Sequence, residues 1–207
     1  MNTTFWGPSG WEFLHTLTFI YPIKPSYNDK VKMQKFMTLI GYILPCKYCR
    51  ESFSKYIKTL SITDYLDNRN KLIIWLYKIH NKVNKKLRSQ GLCKHKNPDL
   101  DTIKENYRKS IIQHLVPPLC NTKNKDTSIN DINQIINTIC NLGRDFLGSI
   151  VFNYQSYYTN CHSGDEKIKI VSVYHTFFNS IIPLICSYLE KYSFQCKNKV
   201  KTNTMIV

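Results

Sequence analysis

Two cysteines separated by two residues, Cys46 and Cys49 in "LPCKYCR", are the closest-spaced of the eight in this chain (46, 49, 93, 120, 140, 161, 186 and 196). That spacing serves three chemistries: half of a zinc clamp, a structural disulfide, or a reactive redox pair. Pro45 precedes the pair and a helical pattern follows, which puts Cys46 in a first helical turn. There the N-terminal dipole favours a thiolate, and Lys47 and Arg50 add positive charge, so a lowered thiol pKa is expected. Zinc needs a second ligand pair. The candidates, Cys93 with His95 and Cys161 with His162, lack the usual gap of two residues or more. Thioredoxin-like chemistry needs a strand–helix–strand setting, which this stretch does not offer.

A second group of side chains is flat and polar. In "KLIIWLYKIHNKVNKKLR" the apolar stripe Leu72, Leu76, Ile79, Val83 and Leu87 recurs at helical spacing, and Tyr77, His80, Asn81 and Asn84 fall beside it three and four apart. Trp11 and His15, four apart, share one side of an earlier helix. Any one of these alone reads most simply as a surface or core residue. Together with the CxxC they would line a cleft suited to a planar cofactor, and Lys82, Lys85, Lys86 and Arg88 would match a diphosphate.

The elements that must position these residues are helices. Few glycines and no alternating strand pattern point to an all-α chain. Helices are expected from Ser9 or Gly10 to Ile20, about 28–44, 46–60, about 71–88 and about 101–113. The apolar side of the second is read as Val31, Phe36, Leu39, Ile40 and Ile43. "LVPPLCNTKNKDTS" reads as a boundary, dividing the chain into residues 1–113 and a helical C-terminal region, 114–207. In the latter, Cys140 and Cys186 fall on apolar faces as small hydrophobes.

With 207 residues the chain can bury a core without staples. Its net charge of +15 would suit a polyanion, and most of the excess lies in residues 1–112, with 20 basic against 8 acidic side chains. A basic helical protein binding nucleic acid, or a zinc module with a structural CxxC, remains the alternative, but neither explains the Trp11/His15 and His80/Asn81/Asn84 pattern. No secretory leader precedes "MNTTFWGPSGWEF", and Asn179 and Pro183 interrupt the longest apolar run, so a cytoplasmic protein without a membrane span is expected.

"WGPSGWEFLH", "LPCKYCRESFSKYI" and "WLYKIHNKVNKKL", in this order and at these distances, resemble the Erv/ALR family of FAD-linked sulfhydryl oxidases over about residues 5–110, and in detail the versions of large DNA viruses. The resemblance implies a four-helix bundle holding FAD, with a short fifth helix across one end. It implies Cys46 and Cys49 as the active pair, Cys49 nearer the flavin and Cys46 open to incoming thiols. Gly7, Gly10, Trp11, His15, His80, Asn81 and Asn84 would touch FAD, and Lys85 and Lys86 would lie near its phosphates. Tyr107 stands nearest to a family tryptophan that stacks on the cofactor. Thiol-containing protein substrates, dioxygen reduced to hydrogen peroxide, and a homodimer formed through an exposed face of the first two helices are further implied; if viral, the chain would work in the host cytoplasm or the virion.

The sequence departs from the family at Tyr77, where a cysteine usually pairs with a counterpart of Cys93; Cys93 is then free or bonded to a C-terminal cysteine. A second, distal cysteine pair on an arm is also absent. Cys186 and Cys196 are the nearest substitutes, and a buried Cys186 argues against them.

Overall fold

The computed structural model describes the backbone of residues 3–114, 129–160 and 163–200. Its elements are α1 (Thr3–Ile20), α2 (Tyr27–Ile43), α3 (Lys47–Thr59), a 3-10 turn (Ile62–Tyr65), α4 (Arg69–Ser89), α5 (Leu100–His114), α6 (Ile129–Leu142), α7 (Arg144–Asn160) and α8 (Gly164–Val200). The described residues form helices joined by turns and loops, with no strand among them.

Local chemistry sets the helix starts. α2 opens on a capping box, with the Ser26 side chain accepting from the Asp29 N–H and the Asp29 carboxylate accepting from the Ser26 N–H. Asn68 caps α4 through Lys71 N–H. α1 begins six residues earlier than Pro8 suggested, and Pro8 sits inside it. What holds that extra turn is Trp6, which is buried against Phe146 of α7 at a ring separation of 5.9 Å.

The core of α1–α4 follows the expected stripes: Phe13, Leu17 and Ile20 from α1, Phe36, Ile40 and Ile43 from α2, and Leu72, Leu76 and Ile79 from α4 are all buried. Val31 is a correction. It is 41% exposed, and Met33 and Met37 take the core positions of α2 instead. Trp75 is fully buried, and its indole N–H is satisfied by the Leu60 carbonyl at 2.9 Å.

The C-terminal helices cover α1 and α2. Phe146 of α7 packs under Gly10 and on Phe13, Phe177 of α8 stacks on Phe36 at 5.5 Å, and Tyr188 meets Tyr21 edge-on at 5.4 Å. The same Asp29 that caps α2 also accepts from Ser187 of α8. A Cβ on Gly143 would lie 2.9 Å from the Phe13 ring, so glycine is required where α6 meets α1. α6–α8 thus take up part of the surface of the first two helices, on which Phe5, Tyr27 and Tyr42 remain exposed.

α8 runs unbroken through Pro183, and its segment Gly164–Tyr188 is long and apolar enough to cross a membrane by length and composition. The interruption read at Asn179 and Pro183 does not end the helix. One face of that segment, through Phe177, Ile181, Leu184, Ile185 and Tyr188, is core.

Candidate functional site

The site lies along α4, which carries one set of side chains toward α3 and another toward α1. On the α3 side, Cys46 is the N-cap residue, and its Sγ accepts from the Cys49 N–H at 3.3 Å. The two thiols are unbonded and both half-buried. Lys86 of α4 reaches across, its ammonium donating to Ser52 Oγ at 2.6 Å and to the Tyr48 carbonyl at 3.5 Å. Arg50 donates to the Leu44 carbonyl at 2.6 Å and thereby bridges the Pro45–Cys46 turn.

Cys49, the second thiol of the pair, is governed by burial rather than by the helix start. Burial, then the hydrogen bond and charge of Cys46, push it up to about 12, against the opposing pull of Lys86 and Arg50. The lost hydration of a thiolate outweighs the nearby cations.

On the α1 side, Trp11 stacks on His80 with ring centroids 3.8 Å apart and planes 9° from parallel. His15 Nε2 and His80 Nδ1 lie 3.2 Å apart, and Tyr107 of α5 stacks on His15 at 5.0 Å. Burial, reinforced by His80, lowers the His15 pKa to about 3, and burial lowers that of His80 to about 4. A hydrogen bond between the rings needs a neutral imidazole as acceptor, and burial favours the neutral form of both. The Tyr107 hydroxyl donates to Glu12 at 2.9 Å, and burial raises its pKa.

Trp11, His15, His80 and Tyr107 thus come together. The remaining sequence candidates scatter around them. Asn84 donates to Asn97 in the link after α4 at 3.1 Å, Asn81 is half-buried on the same helix, and Lys85 is exposed. Lys86 stands beside the CxxC turn. Gly10 lies on the other side of α1, where a Cβ would come within 3.1 Å of the Phe146 ring, while one at Gly7 would meet nothing within 4 Å.

Two contributors were missed in the sequence. Glu12 could have been found as the one acidic side chain in an otherwise apolar run, next to Trp11 and three residues before His15. Tyr157, which Arg50 contacts, carried no signal, because its partner is far away in the chain. Among the described residues no group of three or more His, Cys, Asp or Glu side chains could hold a metal ion. Cys93 is unbonded. Cys161 and His162 lie outside the described residues, as do Cys120 and the side chain of Cys196.

Trp11 and His80 close on each other, and the outer faces of the cluster carry the chemistry that a flat, anionic group would need. The cluster's ring faces suit a planar heteroaromatic, the buried His15 Nδ1 has no protein partner, and Lys82 and Lys85 are exposed on the following turn.

Residues 8–108 match the Erv1/Alr family. The chain is 38% identical over 82 residues to the mitochondrial FAD-linked sulfhydryl oxidase ERV1 of Saccharomyces cerevisiae, covering 40% of this chain and 42% of that protein. It is 36% identical over 85 residues to a probable FAD-linked sulfhydryl oxidase of Acanthamoeba polyphaga mimivirus, covering 41% and 59%. The crystal structure of the yeast Erv1 core matches at 30% identity with a TM-score of 0.46, covering 52% of this chain and 84% of that one. The chain spans about half the length of the curated relatives it matches. Its CxxC turn, the Trp11–His80 stack and the basic end of α4 all fall within the matched segment, and over residues 8–108 this chain belongs to the Erv1/Alr family.

Proposed function

We propose that the protein is an FAD-linked sulfhydryl oxidase that forms disulfides in thiol-containing proteins and passes the electrons to dioxygen. The observation that carries the reading is that α4 alone links the two halves of the site: Lys86 reaches the CxxC turn, and one face further His80 stacks on Trp11.

Trp11, His15, His80 and Tyr107 would hold the flat part of the cofactor, with Asn81, Asn84 and Lys85 around it. Gly10 is assigned to packing. Bound FAD would take two electrons from the reduced pair and hand them to dioxygen, giving hydrogen peroxide.

The chain's own residues govern the thiol chemistry. A substrate thiolate attacks Cys46 Sγ, the Cys46–Cys49 bond breaks, and the electron pair leaves on Cys49, which takes up a proton. A second substrate thiolate then attacks the substrate sulfur of the mixed disulfide, releasing Cys46. Two substrate thiols have become one disulfide, and the pair holds their two electrons. Lys86 and Arg50 favour the charge on departing Cys49, and burial returns it to the thiol, so that proton must leave before the pair can be reoxidised.

A homodimer would have to use a surface other than the one held by α6–α8. Two variants test the assignment in the purified protein. Cys49→Ser should abolish flavin reduction by a dithiol, and Cys46→Ser should block substrate entry while leaving flavin bound. Full turnover by Cys49→Ser would sink it.

A further inference from the structure

Arg50 is held from two directions. One guanidinium nitrogen donates to the carbonyl of Leu44, the last residue before Pro45 and Cys46, and so ties the redox turn to the first turn of α3. The other donates to the hydroxyl of Tyr157 in α7, and the guanidinium carbon lies 5.0 Å from the centre of that ring. Tyr157 is 36% exposed and sits at the edge of a cluster in which Asn153 donates to Tyr174 of α8 at 3.3 Å. A C-terminal helix 107 residues away in sequence therefore reaches the CxxC turn directly.

We propose that Tyr157 is a positioning residue of the redox pair: it holds Arg50 across the Leu44–Cys46 turn, so that the guanidinium charge stays beside Cys49. This rests on the oxidase reading for its consequence in turnover, but not for its chemistry. An arginine side chain has many rotamers, and nothing on α3 itself fixes this one against solvent. The Leu44 carbonyl supplies one anchor. The aromatic face and hydroxyl of Tyr157 supply the second, through a cation–π contact and a hydrogen bond. The region after residue 113 thereby gains a role in catalysis besides covering α1 and α2.

The groups that bear on Cys49 are Cys46 and Arg50 beside it and Lys86 from α4. From α7 and α8, Tyr157 and Tyr174 act on Arg50's surroundings. If Arg50 swings away, one of the two cations goes, and thiolate formation at Cys49 becomes harder.

The test is the rate of Cys49 alkylation at a fixed pH of about 8, which follows its thiolate fraction, in the full-length reduced protein, followed at the Cys49 peptide by mass spectrometry in a Cys46→Ser background. It needs neither bound flavin nor turnover, so failure of the oxidase reading would not mimic failure here. Tyr157→Ala should slow alkylation about threefold, the scale of one partly screened charge. Arg50→Gln should slow it at least as much, and the double variant no further than Arg50→Gln alone. Tyr157→Phe, which keeps the ring, should fall between wild type and Tyr157→Ala. With Cys46 intact, Tyr157→Ala should lower kcat/KM for a dithiol about threefold. A purely structural role predicts the opposite direction, because loosened packing hydrates Cys49 and speeds its alkylation. An unchanged rate in both Tyr157 variants, a faster one, or additive effects of Arg50→Gln and Tyr157→Ala would overturn the proposal.

Discussion

Replacing Gly10 with alanine separates two roles for the "WGPSGW" segment, cofactor contact and helix packing. The added Cβ would sit 3.1 Å from one carbon of the Phe146 ring and 3.2 Å from another. Phe146 cannot swing aside, being fully buried between Trp6 and Phe13 at ring separations of 5.9 and 6.2 Å. Overpacking of this kind costs about 1–3 kcal/mol, and alanine recovers about 1 kcal/mol of helix propensity. The net loss should be about 1 kcal/mol. Phe146→Ala alone should cost about 3–5 kcal/mol. With that ring gone the new Cβ has room, so Gly10→Ala in the Phe146→Ala background should stabilise by about 1 kcal/mol. The four proteins, unfolded in urea, should give a coupling energy of about 2 kcal/mol. Gly10→Ala should keep its full flavin content. Additivity within about 0.5 kcal/mol, or loss of flavin from the single variant, would refute the packing assignment.

Three further outcomes follow from the site. Because the His15 pKa falls from 6.5 unfolded to about 3 folded, its neutral burial stabilises the fold fully above 6.5 and is lost as the pH drops toward 3. His15→Leu should remove about 1.4 kcal/mol per pH unit from the acid limb of urea-measured stability, and an unchanged slope would count against the buried imidazole pair. Lys86→Met removes the cation that α4 brings to Cys49, and should slow stopped-flow flavin reduction about three- to tenfold with bound flavin retained; flavin loss at unchanged rate would return Lys86 to the phosphates. Tyr107→Phe keeps the stack on His15 and loses only the bond to Glu12, costing about 1 kcal/mol with flavin retained, whereas Tyr107→Ala should release flavin in a filtration assay.

The reach of the sequence depended on the distance between interacting residues. α2, α3 and α4 were legible within two residues because their caps, breakers and apolar stripes are local. The start of α1 was not, since Pro8 reads as a helix opener until Trp6 is seen anchored on Phe146, 140 positions on. That Trp11 and His80 share one site was inferable, because each stood out on its own helix; their direct stacking was not. The covering of α1 and α2 by α6–α8 was not: an apolar face announces that it needs a partner without naming it. The environment of Cys49 was out of reach for a related reason. Neighbouring Lys47 and Arg50 and the helix start are visible in the sequence, but the burial that outweighs the charges arises only when α4 closes over α3.

The most direct test of the central claim is the visible absorption spectrum of the purified full-length protein, before and after adding a dithiol, first without air and then with it. The account predicts a flavin spectrum that bleaches with the dithiol and returns on exposure to oxygen. A folded, colourless protein that takes up no added FAD would contradict it.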